Sequence, residues 1–67
     1  MITIRHKDYT FEATSINIIE RDGKWSLWAK VQEGNSRKLL EGSEAEVKEY
    51  REAIEYAVEN GRKIFKF

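Results

Sequence analysis

The sequence predicts an α+β domain in which a twisted, mainly antiparallel sheet of four to five strands carries one amphipathic helix on one face. Three observations predict it. Asp22 and Gly23 separate two segments of alternating polarity, which is the signature of a two-residue hairpin turn. Ser43 with Glu46 opens, and Gly61 closes, a single run of helical periodicity. About five extended segments stand against that one helix, so a single-layer sheet is left with one face uncovered.

The 67 residues make one domain, 1–67, near the size at which a single apolar core only just outweighs chain entropy. Cysteine is absent, so packing alone must stabilise the fold. The first strand is expected over 2–6, followed by a tight turn at Lys7 and Asp8 that sets Ile4 opposite Phe11 and Ile2 opposite Ala13. The second strand is expected over 9–21. Its core side falls at odd positions through Ala13 but at even positions from Ile16, which requires one extra residue, a bulge at Thr14 or Ser15.

Pairing Arg21 with Lys24 starts a third strand over 24–32 and places Ile18 opposite Leu27 and Ile16 opposite Ala29. The core face then reads Ile16, Ile18, Trp25, Leu27, Ala29 and Val31, and the opposite face is polar apart from Ile19 and Trp28. Gly34, Asn35 and Ser36 turn the chain into a fourth strand over 37–41. There Leu39 and Leu40 point to opposite faces of a regular strand, so alternation leaves its register open.

The helix is expected over 44–60, with Val47, Tyr50, Ile54, Ala57 and Val58 as its apolar stripe and Glu44, Lys48, Arg51, Glu52 and Glu55 on the solvated side. Gly61 supplies the left-handed residue that ends it, and Arg62 and Lys63 stand near the negative end of its dipole. A final strand over 63–67 is expected to turn Phe65 and Phe67 inward. Its pairing partner and the strand order are not determined by the pattern.

Twelve bases balance twelve acids, but unevenly. Residues 44–60 hold six Glu against Lys48 and Arg51, so an acidic helix accompanies a basic sheet. No apolar run is long enough to span a bilayer, and Met1 to Lys7 lacks the apolar core of a signal peptide, which suits a soluble, cytoplasmic chain. One histidine, His6, no cysteine, no glycine-rich phosphate loop and no serine beside a base leave nucleophilic and zinc chemistry without their parts. The chain is therefore expected to be non-catalytic, without cofactor or metal. His6 reads as a sheet residue opposite Tyr9, and the helix glutamates as a solvated face.

The uncovered sheet face carries the functional expectation. It presents Trp28 and Ile19 among Arg5, Arg21, Lys24 and Lys30, with Thr3, Thr10, Glu12, Asn17 and Ser26 between them. Indoles are over-represented at interface centres, so this face suits a protein partner or a second copy in a homodimer. Alternatively, single-stranded nucleic acid would stack a base on Trp28 and set phosphates against the four cations. The bland reading is that Trp28 and Ile19 cover each other and the stems of Arg21 and Lys30. The layout of four strands followed by a helix over residues 9–58, with Arg37 and Lys38 ahead of the helix, resembles the small coactivator-type single-stranded DNA binders, which dimerise through the helix. The strand from Lys63 departs from that layout, and no residue is carried over.

Overall fold

A computed structural model describes residues 1–67 as five strands and one helix: β1 (Ile2–His6), β2 (Tyr9–Arg21), β3 (Lys24–Val31), β4 (Ser36–Gly42), α1 (Glu44–Glu59) and β5 (Ile64–Lys66). The element ends fall within two residues of the expected 24–32, 37–41, 44–60 and 63–67, because terminal turns and strand ends are set by single hydrogen bonds rather than by side-chain pattern. The sheet order is β4-β3-β2-β1-β5. All neighbours are antiparallel except β5, which lies parallel to β1 with Phe65 beside Ile4. The helix joins strands on opposite edges, so it must run across one face of the sheet.

The two local turns set the registers as expected. Arg21 pairs with Lys24, Ile18 with Leu27 and Ile16 with Ala29, and both turn residues take positive φ, 54° at Asp22 and 77° at Gly23. The Gly23 N–H also donates to the Glu20 carboxylate at 2.8 Å. At the first turn Ile4 pairs with Phe11 and His6 with Tyr9, and Lys7 holds the positive φ, 57°. The bulge also falls where the change of parity requires it. Ala13 pairs with Val31 and Ser15 with Lys30, which leaves Thr14 as the extra residue, its hydroxyl 3.3 Å from the Lys30 carbonyl.

A second bulge resolves the fourth strand. Leu27 pairs with Leu40 but Trp28 with Lys38, so Leu39 is inserted into β4. Both leucines then pack with the core, Leu39 buried and Leu40 partly so, where a regular strand would turn one of them outward. On the same strand Arg37 reaches over β2 on the helix side, its guanidinium 4.6 Å from the Tyr9 ring and 5.3 Å from that of Phe11.

The helix begins as its sequence requires. The Ser43 hydroxyl accepts the Glu46 N–H, and the Glu46 carboxylate accepts the Ser43 N–H, each at 3.2 Å. Ser43→Ala is expected to lower stability by about 0.5–2 kcal/mol, read as a shift in the denaturant midpoint at unchanged slope. At the other end Gly61, at φ 90°, donates to the Val58 carbonyl and Arg62 to that of Ala57, which closes the last turn. Arg62 then turns to the chain beyond the helix, donating to the Ile64 carbonyl at 2.9 Å and lying 4.9 Å from the Phe65 ring centre. On the solvated side Lys48 pairs with Glu44 at 2.5 Å and Arg51 with Glu55 at 3.3 Å.

The core lies between α1 and the sheet. Val47 and Ile54 from the helix meet Ile2, Ile4, Ala13, Leu27, Ala29, Leu39 and Phe65 from all five strands. The apolar stripe is narrower than expected: Ala57 is partly buried, but Tyr50 and Val58 are exposed, at 52% and 41%. Tyr50 sits at the margin, its ring 6.3 Å from that of Phe67. Lys48 covers Trp25, its ammonium 5.2 Å from the indole, so that tryptophan belongs to the helix side.

Candidate functional site

The candidate site is on the sheet face away from the helix, and β3 organises it because β3 has a strand on each side over most of its length. Trp25, Leu27 and Ala29 turn to the helix, so Ser26 and Trp28 turn away from it. Trp28 is flanked by Asn17 on β2 and Lys38 on β4, and Ser26 by Ile19 and Glu41. The indole N–H of Trp28 donates to the Ser26 hydroxyl at 2.8 Å, and that hydroxyl lies 3.3 Å from the Ile19 carbonyl. Ser26 is the one buried polar residue, and these bonds satisfy it. The chain Trp28–Ser26–Ile19 thus holds the indole against the sheet, partly buried, rather than free to rotate.

These residues line an open hollow of ≈ 490 Å³ together with Arg21, Asp22, Lys24, Lys38 and Glu41. Of the expected site residues, the structure brings Trp28, Ile19, Arg21 and Lys24 together here. Lys30 shares the face but stands between Ser15 and Ser36 outside the hollow, and Arg5 lies between Thr10 and Lys66 on the far half of the sheet. Ile19 is 41% exposed, which makes it the accessible apolar part of the hollow.

Sequence reasoning missed Lys38, Glu41 and the bonding role of Ser26. The first two were hidden by the unforeseen bulge at Leu39, which decides the facing of every residue beyond it. Ser26 was legible, since residues two apart on a strand share a face and serine is the one small hydroxyl beneath the indole. Lys38 and Glu41 form an ion pair at the rim. The Lys38 hydrogen bond, then the Lys38 charge, hold the Glu41 carboxyl below the usual carboxylate range; slight desolvation opposes this and Lys24 adds to it. Because the folded pKa is depressed, the pair is intact above the ordinary carboxylate range. It is lost as pH falls through the depressed value, leaving Lys38 unpaired and the hollow more cationic in acid.

Across the whole face, the cations are Arg5, Arg21, Lys24, Lys30, Lys38 and Lys66, and the acids are Glu12, which accepts the Thr3 hydroxyl, Glu41 and, at the hairpin turn, Asp22. No three histidine or acidic side chains converge to hold a metal ion, and no helix is long and apolar enough to cross a membrane. Comparison with family models, curated proteins and solved structures finds no match to this chain.

Proposed function

We propose that the chain is a non-catalytic binding module whose open sheet face docks a protein partner with an apolar centre and an acidic rim. The observation that supports this reading is the immobilised Trp28 beside the exposed Ile19, set in a hollow with charges of both signs on a face that is basic as a whole. A pre-positioned indole loses little entropy on binding, and hot-spot residues of this type are commonly ringed by polar neighbours that exclude water. Face-to-face pairing of two copies is a weaker form of the same reading, because it would oppose two surfaces that each carry six cations and three acids.

Single-stranded nucleic acid is the second reading, favoured by Lys38 directly beside Trp28 and by Arg21 and Lys24 nearby. Asp22 and Glu41 at the same hollow count against it, since they repel the phosphates that the cations would attract. Tryptophan fluorescence separates the two. Acidic peptides carrying one Leu or Phe are expected to perturb the emission at low salt, and Trp28→Ala to weaken their binding at least tenfold. Short oligonucleotides giving the stronger response, with a log–log salt slope of about −0.7 per phosphate, would favour nucleic acid. An unchanged peptide affinity in the Trp28 variant would overturn the proposal.

A further inference from the structure

A sheet normally has two free edges, and this one has a third inside its outline. β2 is thirteen residues long, with β1 beside Tyr9–Ala13 on one side and β3 beside Ala13–Arg21 on the other. β1 ends where Ile2 meets Ala13, so the stretch from Ser15 to Arg21 has no neighbour on that side.

The hairpin shows which groups are left over. A two-residue reversal makes Arg21 and Lys24 a hydrogen-bonded pair, and such pairs alternate along an antiparallel ladder. Ser15, Asn17 and Ile19 therefore spend their backbone groups on β3, and Ile16, Ile18 and Glu20 aim theirs outward. None of these three makes a backbone hydrogen bond outside the strand ladders.

The other edges are short or charged along their length, whereas this one is charged only at its end, at Glu20 and Arg21. β4 carries Arg37, Lys38 and Glu41, and β5 is three residues long with Lys66. The open stretch of β2 holds Ile16, Ile18 and Ile19 with neither proline nor lysine. The core face beside it is also unfinished. Ile16 and Ile18 are only half-buried, and a largely apolar hollow of ≈ 350 Å³ lies between the strand and the end of α1, where Met1 is 69% and Val58 41% exposed.

We infer that two copies of this chain pair antiparallel through the free edge of β2. An antiparallel edge is self-complementary about a twofold axis, so one patch serves both copies. An axis through Ile18 sets Ile18 against its own copy, Ile16 against Glu20 and Asn17 against Ile19. This register opposes no like charges, keeps every residue on its present face and forms about six backbone hydrogen bonds. The two sheets become continuous, and the hollow beside Ile16 and Val58 of each copy lies next to the end of the other copy's β2. The basic face stays open in the dimer, so this pairing is independent of the proposed docking there.

The test is sedimentation equilibrium of the full chain up to about 1 mM, with amide hydrogen exchange read by NMR at the lowest and highest concentrations. A dimer is expected in which the amides of Ile16, Ile18 and Glu20 gain at least tenfold protection with concentration, while those of Asn17 and Ile19 do not change. Ile18→Pro removes one outward N–H and leaves the β3 ladder intact, and is expected to give a monomer with native tryptophan emission. Should that variant unfold, the exchange pattern of the wild type decides. A monomer at about 1 mM overturns the inference. So does a dimer whose three outward amides stay unprotected, and if Trp28→Ala dissociates that dimer, the interface lies on the open face instead.

Discussion

Leu27→Ala is expected to lower stability by about 2–5 kcal/mol and to lower the thermal midpoint by more than roughly 10 °C. Leu27 is fully buried at the centre of β3, between Ile18 on β2 and Leu40 on β4. Removing its isobutyl group loses the transfer energy of the side chain and leaves a cavity that neighbours on both flanking strands cannot close. A domain of this size is held by about 3–10 kcal/mol in all, so the substitution removes a large share of the total. Ile54→Ala on the helix touches the same cluster and is expected to fall in the same range. Tyr56, 71% exposed, is the control: Tyr56→Ala is expected to shift stability by no more than about 0.5 kcal/mol. Chemical denaturation followed by circular dichroism measures all three, and equal effects at Leu27 and Tyr56 would show that the helix docks by another face.

Gly23→Val is expected to cost about 1–3 kcal/mol, and for a different reason. No atom lies within 4 Å of the place a Cβ would occupy, so the loss comes entirely from forcing an L residue with a branched Cβ to φ 77°. D-alanine at the same position, introduced by chemical synthesis, prefers positive φ and is expected to be neutral or stabilising. Destabilisation by both residues would mean that the turn does not rest on backbone handedness. This turn also decides the site, because a slip of one residue at Asp22–Gly23 would exchange the faces of Trp25 and Trp28.

The residues that were legible in sequence are those governed by near neighbours. The hairpin at Asp22–Gly23, the tight turn at Lys7–Asp8, the bulge at Thr14 and both ends of α1 each depend on a few adjacent residues. From them followed the orientation of both indoles and the grouping of Trp28 with Ile19, Arg21 and Lys24. Lys30 and Arg5 share the face as expected but lie away from the hollow, because facing is a property of one strand whereas distance across the sheet depends on strand order.

The chain's own pattern thus determined its fold class, its hairpins and which side of the sheet each residue of the first three strands faces, since two-residue turns and a period of two leave a strand no alternative register. Tertiary structure alone decided the β4 bulge that brings Lys38 and Glu41 to Trp28 and the parallel docking of β5 beside β1. The loop before β4 and the passage through α1 to β5 do not fix how the joined strands align. Their register is settled by which side chains fill the space under the helix, a competition among residues distant in sequence.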